Sequence, residues 1–279
     1  MKHIIVRGVL ALAIAVPALL AQPKPKSKEE LEALQTMFGA QTPDARIAAA
    51  ENVITKFPDS DFKAEALFFE ASSYHDKRDY ANAVVFGERT LEADPKHYRA
   101  MILLAEVIGG HIREFDLDRD EKIAQVEKYA NGALALVKDA PKTNPSMTDE
   151  QWAMAMKELA ARAHAAMAEA NMARKKYDVA ESQYKLAIEA TDKPDPAFIV
   201  YLGRAYSADG KYDEAIAQFD KVMAMQDVNV IVRQAAQADR VRAFEKRKAA
   251  AKPADALGAT PAPAAPAAPA PPAAPAPKP

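Results

Sequence analysis

The sequence predicts an all-α fold, a solenoid of about four to five helix pairs closed by a terminal helix, and three observations lead there. The first is composition. Of the 279 residues 49% are hydrophobic and 27% charged, but Phe, Tyr and Trp make only 7%, and alanine recurs throughout. That mix suits helices packed through small side chains and offers little for a sheet. The second is Pro196 to Asn229, which reads as two short helices around a tight turn. Leu202, Gly203 and Tyr206 mark the first helix, Asp209-Gly210-Lys211 the turn, and Tyr212, Ala215 and Phe219 the second. Gly203 and Ala215 are small where the helices must cross, and Gly210 allows a turn conformation that a Cβ resists. The third is that this spacing returns upstream.

Leu-Gly-x2-Tyr followed by Ala-x3-Phe, at a period of about 34 residues, resembles the tetratricopeptide repeat. The resemblance implies a right-handed α-solenoid whose first helices line a concave face that binds protein segments. FPDSDFKAEALFFEASSYHDKRDYANAV, residues 57–84, is similar to exported bacterial tetratricopeptide proteins of the cell envelope.

In chain order, Lys2, His3 and Arg7 precede the apolar run Gly8 to Ala21, the layout of a secretory signal peptide cleaved after Ala21. At roughly 14–20 apolar residues the run is short for a bilayer span, which takes about 20. An uncleaved anchor is the alternative. Cleavage would place the mature protein in the periplasm or cell envelope with no stable membrane span. Residues 22–26 are linker. Residues 27–248 form one repeat domain, with repeats at about 27–60, 64–97, 98–145, 161–194 and 196–229 and a cap at 228–248.

Ser27 caps the first helix, which carries Leu31, Leu34 and Phe38; Gly39 and Pro43 break it, and Ala45 to Phe57 is its partner. In the second repeat Ala71, Tyr74, Tyr80, Ala83 and Pro95 hold the register. Gly87 stands where Phe is usual, leaving a hole for a neighbouring side chain. Ala105 and Ile108 lead the third repeat into an insert, HIREFDLDRDEK, before its second helix runs from near Ile123 to Val137. Residues 139–147, with Pro141 and Pro145, form a loop. Thr148 caps a long helix whose first half, with Trp152, Met156 and Leu159, is expected to pack on the insert. Its second half carries Ala168 and pairs with Tyr177, Ala180, Tyr184 and Ala187. The last helix ends in basic residues, favourable at a helix C-terminus, and supplies the polar outer face that a terminal repeat requires. Residues 249–279 are an Ala/Pro tail: ten of the 20 prolines lie between Pro253 and Pro279. Such a segment buries no core and favours disordered polyproline II. At about 3.1 Å per residue it would reach about 80 Å, as a spacer or tether.

Several chemistries are excluded. Without cysteine there are no disulfides, thiolate metal sites, Cys nucleophiles or lipid-bearing Cys. A formal charge of −2 gives no footprint for nucleic acid. No GxSxG, GxxxxGK or GxGxxG occurs, and the His residues show no HExxH spacing. Asp116, Asp118 and Asp120, with Glu127 in the twelfth place, echo a calcium-binding EF-hand loop. Glu121, however, stands where that loop needs Gly. The plainer reading is a solvated loop in which Asp118 or Asp120 caps the next helix. No catalytic residue, cofactor or metal is expected; a calcium-dependent or enzymatic role through Asp116–Glu127 is the third reading.

What remains is the groove. By the resemblance, four positions of each first helix line it: Glu65, Phe68, Ser72 and His75; Arg99, Ile102, Glu106 and Gly109; Arg162, Ala165, Glu169 and Met172; Ala197, Val200, Arg204 and Ser207. The Lys and Asn that clamp a peptide's terminal carboxylate are missing. Phe68, Ile102 and Val200 as apolar anchors, with Arg99, Arg162 and Arg204 as cations, would suit a segment carrying apolar and acidic residues. The expected function is a non-catalytic scaffold binding another protein. The alternative is a membrane-anchored or self-associating structural element.

Overall fold

The computed structural model describes residues 23–144 and 146–251. The expected leader (1–21), Pro145 of the loop and the tail from residue 252 lie outside the described residues. Eleven helices and no strand occur among those described: α1 (Lys28–Gly39) and α2 (Pro43–Lys56), α3 (Lys63–Asp76) and α4 (Tyr80–Ala93), α5 (Tyr98–Gly109) and α6 (Arg119–Val137), α7 (Asp149–Ala173) and α8 (Tyr177–Glu189), α9 (Pro196–Ala208) and α10 (Tyr212–Ala224), and finally α11 (Val230–Ala250). None of these helices is long and apolar enough to cross a membrane.

Most helix starts have a local cause. Ser27 Oγ accepts the Glu30 amide at 3.0 Å, Thr42 accepts that of Ala45, and Thr148 forms a reciprocal capping box with Gln151. Such caps satisfy amides that have no partner within the helix. Pro43 opens α2 at its first turn, where the missing N–H is no loss; it does more than end α1.

Each helix packs on its neighbour in the chain, and first helices also meet across repeats, α3 with α5, α5 with α7 and α9 with α11. No pair buries its apolar face alone, so the chain is an all-α solenoid whose stability is shared between neighbouring repeats. At the α9–α10 crossing, a Cβ on Gly203 would stand 2.5 Å from the Phe219 ring, so the backbones meet only because that side chain is absent. At Gly87 the expected hole is filled from the next repeat: Leu104, fully buried, places Cδ2 2.8 Å from where a Cβ would be.

Three turns repeat one geometry. Arg78, Lys175 and Gly210 each precede the opening Tyr of the second helix by two residues, with φ of 61°, 61° and 78°. In each, the next amide closes back on the first helix at 2.9 Å: Asp79 onto the Tyr74 carbonyl, Lys176 onto Asn171 and Lys211 onto Tyr206. This is the Schellman closure. The left-handed conformation costs an L-residue about 1–2 kcal/mol, and glycine's freedom when unfolded takes back about 0.5–1. Arg78→Gly should therefore stabilise the protein by about 0.5–1 kcal/mol, read as a higher urea midpoint. A lower midpoint would show that the Arg78 side chain contributes more than its backbone strain.

The structure differs from expectation at four places. α6 begins at Arg119, ahead of Ile123, because the insert's last residues already continue the helix. The Trp152 Nε1–H donates not to the insert but to the Ala140 carbonyl at 3.2 Å, in the loop after α6, while Met156 and Leu159 pack on the α5–α6 core, against which Ile112 of the insert also packs. α11 extends to Ala250, into the expected tail. Its free face is also less polar than a cap demands: Val230, Ile231, Val241 and Phe244 are exposed, though the Arg247 guanidinium lies 4.8 Å from the Phe244 ring centroid.

Candidate functional site

The insert carboxylates do not converge on one point. Lys122 Nζ lies 2.9 Å from Asp116 and 3.0 Å from Asp118, Asp120 pairs with Arg119 at 3.5 Å, and Glu127 pairs with Arg174 at the C-terminal cap of α7. Asp118 is the N-cap residue of α6 but its side chain caps nothing, because Lys122 draws it away. Among the described residues no group of three or more His, Cys, Asp or Glu could hold a metal.

Along the inner face the helical period sets Glu65, Phe68 and Ser72 on one side of α3, toward α5. Arg99 Nη2 lies 2.5 Å from each Glu65 oxygen. His97 caps α5, its Nδ1 accepting the Ala100 amide at 3.2 Å, so the ring proton sits on Nε2, 3.3 Å from Glu65. Burial alone would push the Glu65 carboxyl up; the His97 hydrogen bond and the Arg99 guanidinium outweigh it and hold it down at about 2. Phe68 lies beneath this cluster, 4.6 Å from the Arg99 guanidinium and 4.9 Å from the His97 ring.

The same device recurs at the next junctions. Arg162 grips Glu106 with two bonds, Nε to Oε1 at 2.7 Å and Nη2 to Oε2 at 2.5 Å, tying α7 to α5. Tyr184 donates to Glu169 at 2.6 Å; burial pushes the Glu169 carboxyl up, partly offset by that bond. Arg204 Nε meets Asp239 Oδ2 at 2.6 Å, tying α9 to α11, and Arg242 takes the other oxygen at 2.6 Å. The three arginine pairs are rungs between successive repeats and the final helix, whereas Tyr184–Glu169 joins the two helices of one repeat.

This changes the expected groove. Arg99, Arg162 and Arg204 are committed to Glu65, Glu106 and Asp239. Two of the three apolar anchors are core residues: Ile102 is 0% exposed and Val200 2%, so neither presents a surface to a partner. The reason is packing on both sides; α5 lies against α4, α6 and α7 as well as α3, and α9 against α8, α10 and α11. Ala165 and Gly109 are buried too. Phe68, Ser72 and His75 stay half-buried, with His75 6.0 Å from the Tyr80 ring. Met172 packs on the core.

The inner face opens at its C-terminal end. A cleft of about 300 Å³ between α9 and α11 is lined by Arg204, Ser207, Phe219, Asp239, Arg242 and Lys246. Three cations surround one carboxylate, and the Arg242 side chain is 72% exposed. Arg242 and Lys246 were not among the expected site residues, because α11 reads as a cap; the basic run near its end was the available signal.

One comparison with known proteins bears on the same end of the chain. Residues 201–229, the last eight residues of α9 and all of α10, match the family model described as tetratricopeptide repeat. Among solved structures the chain is similar to the crystal structure of a thermophilic tetratricopeptide-repeat protein of Thermus thermophilus, at 21% identity and a TM-score of 0.49, covering 76% of this chain and 99% of that one. No curated protein matches the chain.

Proposed function

We propose that the protein is a non-catalytic interaction scaffold that holds a segment of another protein along its inner face, and that the cationic end of that face takes acidic side chains. The observation that carries this is the α9–α11 cleft, where Arg204, Arg242 and Lys246 outnumber Asp239. Both Arg204 and Arg242 bond Asp239, whose single charge offsets only one of them, so with Lys246 the cluster keeps an excess of two positive charges, carried outward by the exposed Arg242 and Lys246. The tetratricopeptide match covers one wall of this cleft, the C-terminal part of α9 with α10, and ends just before α11. Export to the periplasm or cell envelope belongs to the same proposal and rests on the basic and apolar layout of residues 1–21.

The test is a pull-down from envelope extract with residues 22–279 as bait, beside Arg242→Glu/Lys246→Glu. Both changes lie on exposed side chains, so the variant should fold, which circular dichroism checks. The expected result is a partner held by the first bait and lost by the folded variant, with retention weakening as salt rises. A partner held equally by both would overturn the assignment to this cleft. The exposed Ile231, Val241 and Phe244 on α11 favour one second reading, self-association through that face. Light scattering on the mature domain would show it as a dimer.

A further inference from the structure

Behind the inner face lies a second cavity that the scaffold function does not use. About 210 Å³ in volume, it sits between α2, α3 and α4, and Ile54, Glu51, Glu70, Tyr74, Phe86 and Arg89 are among its lining residues. On α3, Glu70 and Tyr74 face away from Glu65, Phe68 and Ser72, as the helical period requires. Glu70 is 2% exposed, yet it makes no hydrogen bond or ion pair among the described residues. A carboxylate with so little exposed surface keeps only part of its solvation, and the Glu70 oxygens are not sealed off entirely. Here its open side is the cavity.

The rest of the lining indicates what the partner is. Glu51 of α2 brings a second carboxylate, also without a bond. Tyr74 and Phe86 stack at 5.2 Å and 22° to form an aromatic wall. That wall already attracts a cation: the Arg89 guanidinium lies 4.8 Å from the Phe86 centroid but makes no bond to Glu70. Ile54 supplies apolar surface suited to an alkyl stem. Two carboxylates are too few for a metal site by the number of protein ligands calcium or zinc takes.

We propose that this cavity binds a primary alkylammonium group, its stem against Ile54 and the rings and its N–H donors shared between Glu70 and Glu51. The same chemistry comes from a free amine or from a lysine side chain of a partner protein. The protonation state of Glu70 supports it. Burial pushes the carboxyl up to about 7, with Glu51 adding to the rise and Arg89 opposing it. The titratable and charged groups facing it are Glu51 from α2, the neutral phenol of Tyr74 on α3 and Arg89 from α4. A cation that needs the ionised carboxylate should therefore bind more tightly as pH rises from 5.5 to 8.

The test titrates the full chain at pH 8 with n-butylammonium and with Nα-acetyl-lysine-N-methylamide, following amide NMR shifts near Tyr74 and Phe86. Saturable binding of the blocked lysine at least as tight as butylammonium assigns the site to a partner's side chain; tighter butylammonium assigns it to a free amine. Either result supports the proposal if Glu70→Gln, folded by circular dichroism, weakens binding by at least about tenfold, the scale of a lost charged hydrogen bond. No saturable shift from either probe would overturn it, as would equal affinity in Glu70→Gln. Should that variant not fold, wild-type affinity that stays flat from pH 5.5 to 8 would overturn it as well.

Discussion

Leu104→Ala is expected to destabilise the protein by about 2–5 kcal/mol, and adding Gly87→Leu in the same chain to restore a large part of the loss. Leu104 is fully buried and fills the space that a side chain at residue 87 would otherwise occupy, with Cδ2 and Cγ 2.8 and 3.0 Å from that Cβ. Truncating it removes several methyl-group contacts and opens a cavity, because α4 and α5 are fixed by their other neighbours. Gly87→Leu alone meets an occupied site and should cost about 1–3 kcal/mol, although glycine is the poorer helix former by about 1 kcal/mol. The double variant exchanges which repeat donates the side chain, so the two changes should be coupled by at least about 1 kcal/mol in its favour. Urea denaturation of the four proteins in the cycle measures this. Strict additivity would mean that Leu104 and residue 87 do not share one space.

The same pair shows where the sequence was legible. Gly87 as a gap, Gly203 as a crossing point and Gly210 as the turn could all be read, because each departure from a repeating pattern states a local steric need. That Leu104 fills the gap could not, since nothing in a 34-residue register says which neighbour reaches across. The groove failed for a related reason. Position within a helix shows that Ile102 and Val200 face inward, but not whether the inward side meets solvent or another helix; α6, α7, α10 and α11 settle that. The arginines were found but their use was not, because Glu106 and Arg162 are 56 residues apart. Glu70 was missed altogether, being one carboxylate among many on helix surfaces until α2 and α4 enclose it.

Stability should depend on pH with two limbs of opposite sign, both set by α3. Glu65 is held down at about 2 by His97 and Arg99 against burial. A group whose folded pKa is lowered contributes fully above its unfolded value, so the Glu65 contribution is present above about 4.5 and lost as pH falls toward 2. Glu70 behaves in the opposite way. Burial raises its carboxyl from 4.5 to about 7, so the folded state binds this proton more tightly than the unfolded chain. Its favourable effect is present below 4.5 and disappears as pH rises to 7. Each limb is worth roughly 3 kcal/mol at most, because a pKa difference of one between folded and unfolded chain corresponds to about 1.4 kcal/mol. Other groups titrate as well, so the informative quantity is the difference between variant and wild type at each pH. Glu70→Gln should gain stability over wild type between pH 4.5 and 7 and hold that gain above 7, leaving the acid limb unchanged. Glu65→Gln should lose stability at neutral pH and flatten the acid limb alone. Urea midpoints from pH 3 to 8 separate the two, and a Glu70→Gln profile parallel to wild type would show that this carboxyl is already ionised and solvated. Saturation with an ammonium ligand should act on the alkaline limb only, because it stabilises the one charge that burial disfavours.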